Sequence, residues 1–187
     1  MRALALAMAM TMTAAAVASA EVTSGPQVGE SVGAFTVTKV AGNADDGVAD
    51  GKTLCYRCRM GQRPVVMVFA RSADEKLAKF VKELEEEIEE HQDAKLAAFV
   101  NMIGTDEEAL KKAAADFVAK HGITRVAFVV PTQAQDGPEN LKIAPDADLT
   151  VVCYKEGTVK ANHAFAAGGL SDEKIDAIVH ASCEMAE

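Results

Sequence analysis

Six consecutive apolar residues, Val65-Val66-Met67-Val68-Phe69-Ala70, follow Pro64 with no polar interruption. A half-exposed strand alternates in polarity, so an unbroken run of this length predicts a strand covered on both faces. Such a strand lies inside a sheet held between two layers. The rest of the chain must therefore supply those layers.

The flanking segments have the patterns to do so. Phe35-Thr36-Val37-Thr38-Lys39-Val40 alternates and predicts a half-exposed strand. Beyond the central run, Leu77, Phe80, Val81, Leu84 and Ile88 recur at three- and four-residue spacing, which predicts an amphipathic helix over 73–90. Glu85, Glu86, Glu87, Glu89 and Glu90 fill the remaining positions and are expected to face solvent. Residues 96–103 read as a second buried strand and 126–130 as a third. Thr105 and Glu108 form a capping box for a helix over 106–121, with Leu110, Phe117 and Val118 inward and Gly122 closing it. Leu149 to Tyr154 and Thr158 to Phe165 flank Lys155-Glu156-Gly157, a hairpin signal. Ser171 caps a last helix over 171–184 that turns Ile175, Ile178 and Val179 inward. Residues 41–51, rich in Gly, Asn and Asp, read as a turn or variable loop, and 131–148, with its prolines, as a second loop. This order predicts an α/β domain, a mixed sheet with helices on both faces.

The N-terminus has the pattern of an address. Arg2 precedes an apolar stretch to Val17, and Ala18-Ser19-Ala20 is a small-x-small cleavage pattern. A signal peptide over 1–20 and a mature domain over 21–187 are expected, with export to the periplasm or the medium. The apolar stretch falls short of the roughly 20 residues a spanning helix needs, and nothing later is apolar for long enough, so no membrane span is expected in the mature chain. Without Arg2, 18 basic residues face 28 acidic ones, a net charge of −10. That balance argues against nucleic acid and anionic membranes as partners. The absence of Trp also removes the main stacking platform for single strands.

Chemistry is concentrated in Cys55-Tyr56-Arg57-Cys58, with Arg59 and Arg63 close behind. The spacing supports three readings. It suits a redox dithiol, in which the arginines stabilise a thiolate and Cys55 or Cys58 attacks a partner's sulfur. It equally suits a structural disulfide ahead of the central strand, or half of a metal site. A c-type haem is excluded because Arg59, not His, follows the second cysteine. His91, His121, His163 and His180 are scattered singly, so no metal ligand set and no cofactor is expected. His163 is the one histidine placed for a catalytic role. Cys153 and Cys183 read either as small core residues or as a pair that bridges the sheet to the last helix, Cys183 being placed on that helix's inward face. No Ser-His-Asp grouping, phosphate loop or carboxylate pair stands out.

Three stretches carry a resemblance. Gly29 to Val37 looks like the opening segment of peroxiredoxin-type and exported thioredoxin-type domains, Pro64 to Ala70 like their first core strand, and Asp148 to Val159 like their late hairpin. The chain thus resembles the thioredoxin-like superfamily over nearly its whole mature length. The resemblance implies a single thioredoxin-like domain, a central mixed β-sheet flanked by helices, and thiol–disulfide exchange. Protein or small-molecule thiols and disulfides would be its partners. Two alternatives stand beside that function: a non-catalytic binding module with structural cysteines, or a copper-handling protein. One departure is plain. The superfamily places its catalytic cysteine in the loop after the first core strand, which here is Arg71-Ser72-Ala73-Asp74, whereas Cys55 and Cys58 precede that strand. A proline facing the dithiol is also part of the pattern, and Pro145 is the nearest to that place.

Overall fold

A computed structural model describes residues 22–187; the expected leader and its cleavage point therefore lie outside the described residues. Seven strands form one sheet: β1 (Val37–Ala41), β2 (Thr53–Leu54), β3 (Val65–Ala70), β4 (Ala97–Met102), β5 (Ala127–Pro131), β6 (Leu149–Lys155) and β7 (Thr158–Phe165). Four helices accompany them: α1 (Tyr56–Met60), α2 (Glu75–Glu90), α3 (Glu107–His121) and α4 (Asp172–Ala186). The strand order is β2-β1-β5-β4-β3-β6-β7. β3 runs parallel to β4 on one side and antiparallel to β6 on the other. Every residue of β3 is at most 1% exposed, so the central apolar run is covered on both faces as its composition demands.

Helices lie on both faces of the sheet, as the sequence predicts, but unequally. Val66, Val68 and Ala70 of β3 pack with Leu77, Phe80 and Leu84 of α2, Phe117 of α3 and Ile178 of α4, so all three long helices share one face. Val65, Met67 and Phe69 pack instead against Tyr56 and Met60 of α1, Val32 and Val48, and Leu141 and Ile143 of the 132–148 segment. The second layer is thus one short helix and loops. The cause is topological. β3, β4 and β5 step across the sheet in one direction, and right-handed crossovers then put α2 and α3 on the same side.

The element ends follow local chemistry. Asp74 caps α2 by accepting the Leu77 amide at 2.8 Å, and Ser171 accepts that of Lys174 at the start of α4. At α3 the cap is Asp106, which accepts the Ala109 amide at 3.0 Å, rather than the Thr105 box. The β6–β7 hairpin turns on Glu156 and Gly157, both at positive φ (57° and 75°), the conformation that matches the twist of paired strands. Gly157 also faces Arg57 so closely that a Cβ would sit 2.1 Å from its guanidinium.

One glutamate of the α2 run departs from the solvated face. Glu85 is only 6% exposed, and its Oε1 accepts the amides of Thr124 and Arg125 in the turn that leads into β5. Lys82 reaches its other oxygen at 2.9 Å. Burial pushes this carboxyl's pKa up, but the two amides and Lys82 outweigh burial and hold it below the usual range. The depressed folded-state value makes its contribution full above the pKa of an unfolded glutamate and lost as pH falls through the folded one. Glu85→Ala, which strands two amides, is expected to cost about 2–3 kcal/mol at neutral pH. Glu85→Gln should cost less and flatten the acid limb of the melting-temperature profile. A Gln variant that tracks wild type at every pH would contradict this account.

Candidate functional site

Cys55 and Cys58 are joined in a disulfide with their Cα atoms 5.2 Å apart. The helix that carries them, α1, was not anticipated from the sequence, because five residues are too few to display periodicity. Its logic is nonetheless local. Cys55 is the N-cap in extended conformation, and its Sγ accepts the Cys58 amide at 3.1 Å. Tyr56 and Met60 face the sheet, while Cys58 and Arg59 face outward; Gly61, at φ 63°, ends the helix before Pro64. Cys58 is exposed and Cys55 half-buried.

Helix α1 is held by a polar cluster beneath it. Lys39 of β1 is 1% exposed, and its Nζ donates to Asp46 Oδ1 at 2.9 Å and to the carbonyls of Asn43 and Val48, each at 2.8 Å. Asp46 Oδ1 also accepts the Val48 amide at 2.7 Å, while its other oxygen accepts the Tyr56 hydroxyl. Burial, and then the Asp46 carboxylate, push the Tyr56 phenol pKa far upward, so it stays a donor. Tyr56 stacks on Phe99 of β4 with ring centroids 5.4 Å apart. The 41–51 stretch, expected as a turn or variable loop, is therefore fastened to the core by a buried ion pair.

The arginines brace the helix. Arg57 Nε donates to the Val32 carbonyl at 2.9 Å, and Arg59 donates to the Asp46 carbonyl. Among the described residues neither donates to a sulfur, so their direct work is positional.

The helix that carries the disulfide reaches the Val65 end of β3, where its Arg57 meets Gly157 of the β6–β7 turn. The loop where the resemblance places a catalytic cysteine lies at the other end of the strand, about 17 Å along it. There Ser72 Oγ donates to Asp148 at 2.7 Å, and Arg71 ties down the carbonyls of Ala147 and Gln135. A cleft of about 280 Å³ opens between Ser72, Asp74, Leu149 and Phe165. It contains no cysteine. Pro145 has a trans peptide bond and belongs to this same end.

The remaining cysteines are both free, which corrects the bridging alternative. Cys153 lies on β6 beneath the three helices, and burial pushes its thiol pKa up to about 12, so it is inert near neutral pH. Cys183 is half-buried and not part of the core. Its Sγ donates to Glu87 of α2 at 2.8 Å, while Ser182 takes the inward position. Burial and the Glu87 hydrogen bond push its pKa up to about 11. His163 is paired with Val151 on the side of the sheet that α4 covers, and burial lowers its pKa. Its position is far from catalytic use at the disulfide, because α1 packs on the opposite face. His91 lies at the end of α2 with its Nε2 3.4 Å from Glu87.

No protein-family model matches the chain, and no curated protein is similar to it at a significant level. Solved structures do match. A candidate protein disulfide isomerase from Bacteroides thetaiotaomicron superposes with a TM-score of 0.62 at 17% identity, over 88% of this chain and 94% of that one. A candidate thiol:disulfide interchange protein DsbE from Chlorobium tepidum gives 0.58 at 10% identity, over 86% and 99%. The fold is thioredoxin-like. A thiol peroxidase from Chromobacterium violaceum, with a TM-score of 0.53 at 14% identity over 86% and 88%, shows the same architecture. Among the described residues, no helix of this thioredoxin-like chain is long and apolar enough to cross a membrane.

Proposed function

We propose that the chain is an exported thiol–disulfide exchange protein whose working pair is Cys55–Cys58. The carrying observation is the position of the bond: a disulfide with its Cys58 end exposed and its Cys55 end half-buried under an amide donor. A partner thiolate attacks Cys58 Sγ, forming a mixed disulfide, and the Cys55–Cys58 bond breaks. The electron pair departs on Cys55, where the Cys58 amide stabilises the thiolate. A second thiol of the partner then attacks its own bridged sulfur and releases Cys58. Two electrons pass to the pair, and the partner leaves as a disulfide. Reversal of the same steps reduces a partner.

Loop size favours exchange over a structural staple. Closing so short a loop removes little unfolded-state entropy, about 2 kcal/mol by the chain-entropy relation, and the segment is already fixed by Tyr56, Arg57 and Arg59. Export fits the leader pattern and the oxidising compartment in which such a pair is kept bridged.

The test is an asymmetric trap. Cys55→Ser leaves the exposed Cys58 thiolate free to attack a disulfide-bonded peptide. The peptide's S–S bond breaks, one of its sulfurs leaves as a thiol, and with no resolving thiol on the protein mixed disulfides should accumulate. Cys58→Ser leaves the half-buried thiol and should trap much less. Wild type should have a reduction potential above about −300 mV. Equal failure of both variants to trap, with a potential below that value, would return the pair to a structural role.

A further inference from the structure

The structure assigns a metal site to Glu87, His91 and Cys183, where α2 meets α4, and we propose that it binds a zinc ion. These residues lie outside the disulfide site, and the sequence presents them as a solvated glutamate, an isolated histidine and a cysteine of the core or of a bridge. Tertiary packing brings them together. Glu87 and His91 are one turn apart on α2, and Cys183 comes across from α4, with their donor atoms all within 4.8 Å of one another. Cys183 Sγ stands 2.8 Å and His91 Nε2 3.4 Å from Glu87 Oε2.

Those separations suit one ion. Zinc bonds of about 2.3 Å to sulfur and about 2.0–2.2 Å to nitrogen and oxygen place tetrahedral ligands roughly 3.3–3.6 Å apart. The three donors need shift by no more than about an ångström each. Thiolate, imidazole and carboxylate together favour a borderline ion over calcium or magnesium, which take oxygen donors. On binding, the Cys183 thiol proton leaves to solvent and the sulfur bonds the metal. All three side chains are half-buried, so solvent reaches the site and the fourth position is open to water, as in exchangeable rather than closed zinc sites. Glu83, Glu86 and Glu90 on the same helix add a negative field that concentrates cations.

The test uses the full mature chain under non-reducing conditions. Cys55 and Cys58 are then bridged and Cys153 is enclosed, so Cys183 is the one accessible thiol among the described residues. Cobalt(II) titration is expected to give a single-site thiolate-to-cobalt charge-transfer band with tetrahedral d–d intensity, and zinc should displace it stoichiometrically. Cys183→Ser should abolish the band, and His91→Gln and Glu87→Gln should each weaken zinc binding at least tenfold in a chelator competition. Circular dichroism on each variant verifies that it is folded. Absence of the band in wild type would overturn the site. So would zinc affinity unchanged by Cys183→Ser and His91→Gln, which would place bound metal on surface carboxylates.

Discussion

Asp46→Ala is expected to destabilise the protein by about 3–5 kcal/mol, because it leaves the Lys39 ammonium buried without its counter-ion. Lys39 is 1% exposed and keeps two backbone carbonyls, which satisfy two of its three hydrogens and leave the third, and the charge, uncompensated. The same substitution removes the acceptor of the Tyr56 hydroxyl and of the Val48 amide. For a domain of this size the melting temperature should fall by about 10–15 °C. Lys39→Met should cost a similar amount, since it isolates the carboxylate instead. The double variant Lys39→Met/Asp46→Ala should then be more stable than the two losses summed, giving a coupling of about 1–3 kcal/mol. Additive losses in urea unfolding would show that the pair is not one unit.

Tyr56→Ala comes second in expected size. It empties a fully buried ring site against Phe99 and should cost about 3–5 kcal/mol, in the range of large aromatic truncations. Tyr56→Phe keeps the ring and loses one hydrogen bond to a charged acceptor, about 1.5–3 kcal/mol. The two differ in what they do to the disulfide. The Phe variant keeps α1 seated on β3 and β4, so its rate of reduction by dithiothreitol should stay near that of wild type. The Ala variant frees the helix, so Cys55 loses its fixed burial and reduction should accelerate. If the Ala variant is as stable as the Phe variant, α1 is not anchored through this ring.

The geometry of the proposed exchange site follows from that anchoring. In the resemblance, the reactive cysteine stands in the loop after the core strand. In this chain the bonded pair stands before it, on a helix pinned by Lys39, Asp46 and Tyr56, while the loop after the strand holds Ser72 paired to Asp148. A partner thiol approaching Cys58 therefore meets the face of the sheet that lacks long helices, beside the β6–β7 turn.

Local order was legible wherever a rule of one dimension sufficed. The unbroken run of β3 required burial on both faces. The spacing of Leu77, Phe80 and Leu84 required a helix with one buried stripe, and Glu156-Gly157 admitted a tight turn. The cysteine pair marked the candidate site for the same reason: its chemistry lies in four consecutive residues. What escaped depended on partners distant in sequence. Lys39 is buried because Asp46 and two carbonyls enclose it, and Glu85 because two amides arrive from 39 and 40 residues away. Cys183 meets Glu87 only because α4 packs on α2. Helix α1 is too short to announce itself by period. The sequence by itself determined the long elements and marked Cys55 and Cys58 as the candidate pair. Tertiary structure decided which charges are buried, which face the three long helices share, and that Cys183 meets Glu87, because each depends on contacts that no periodicity encodes.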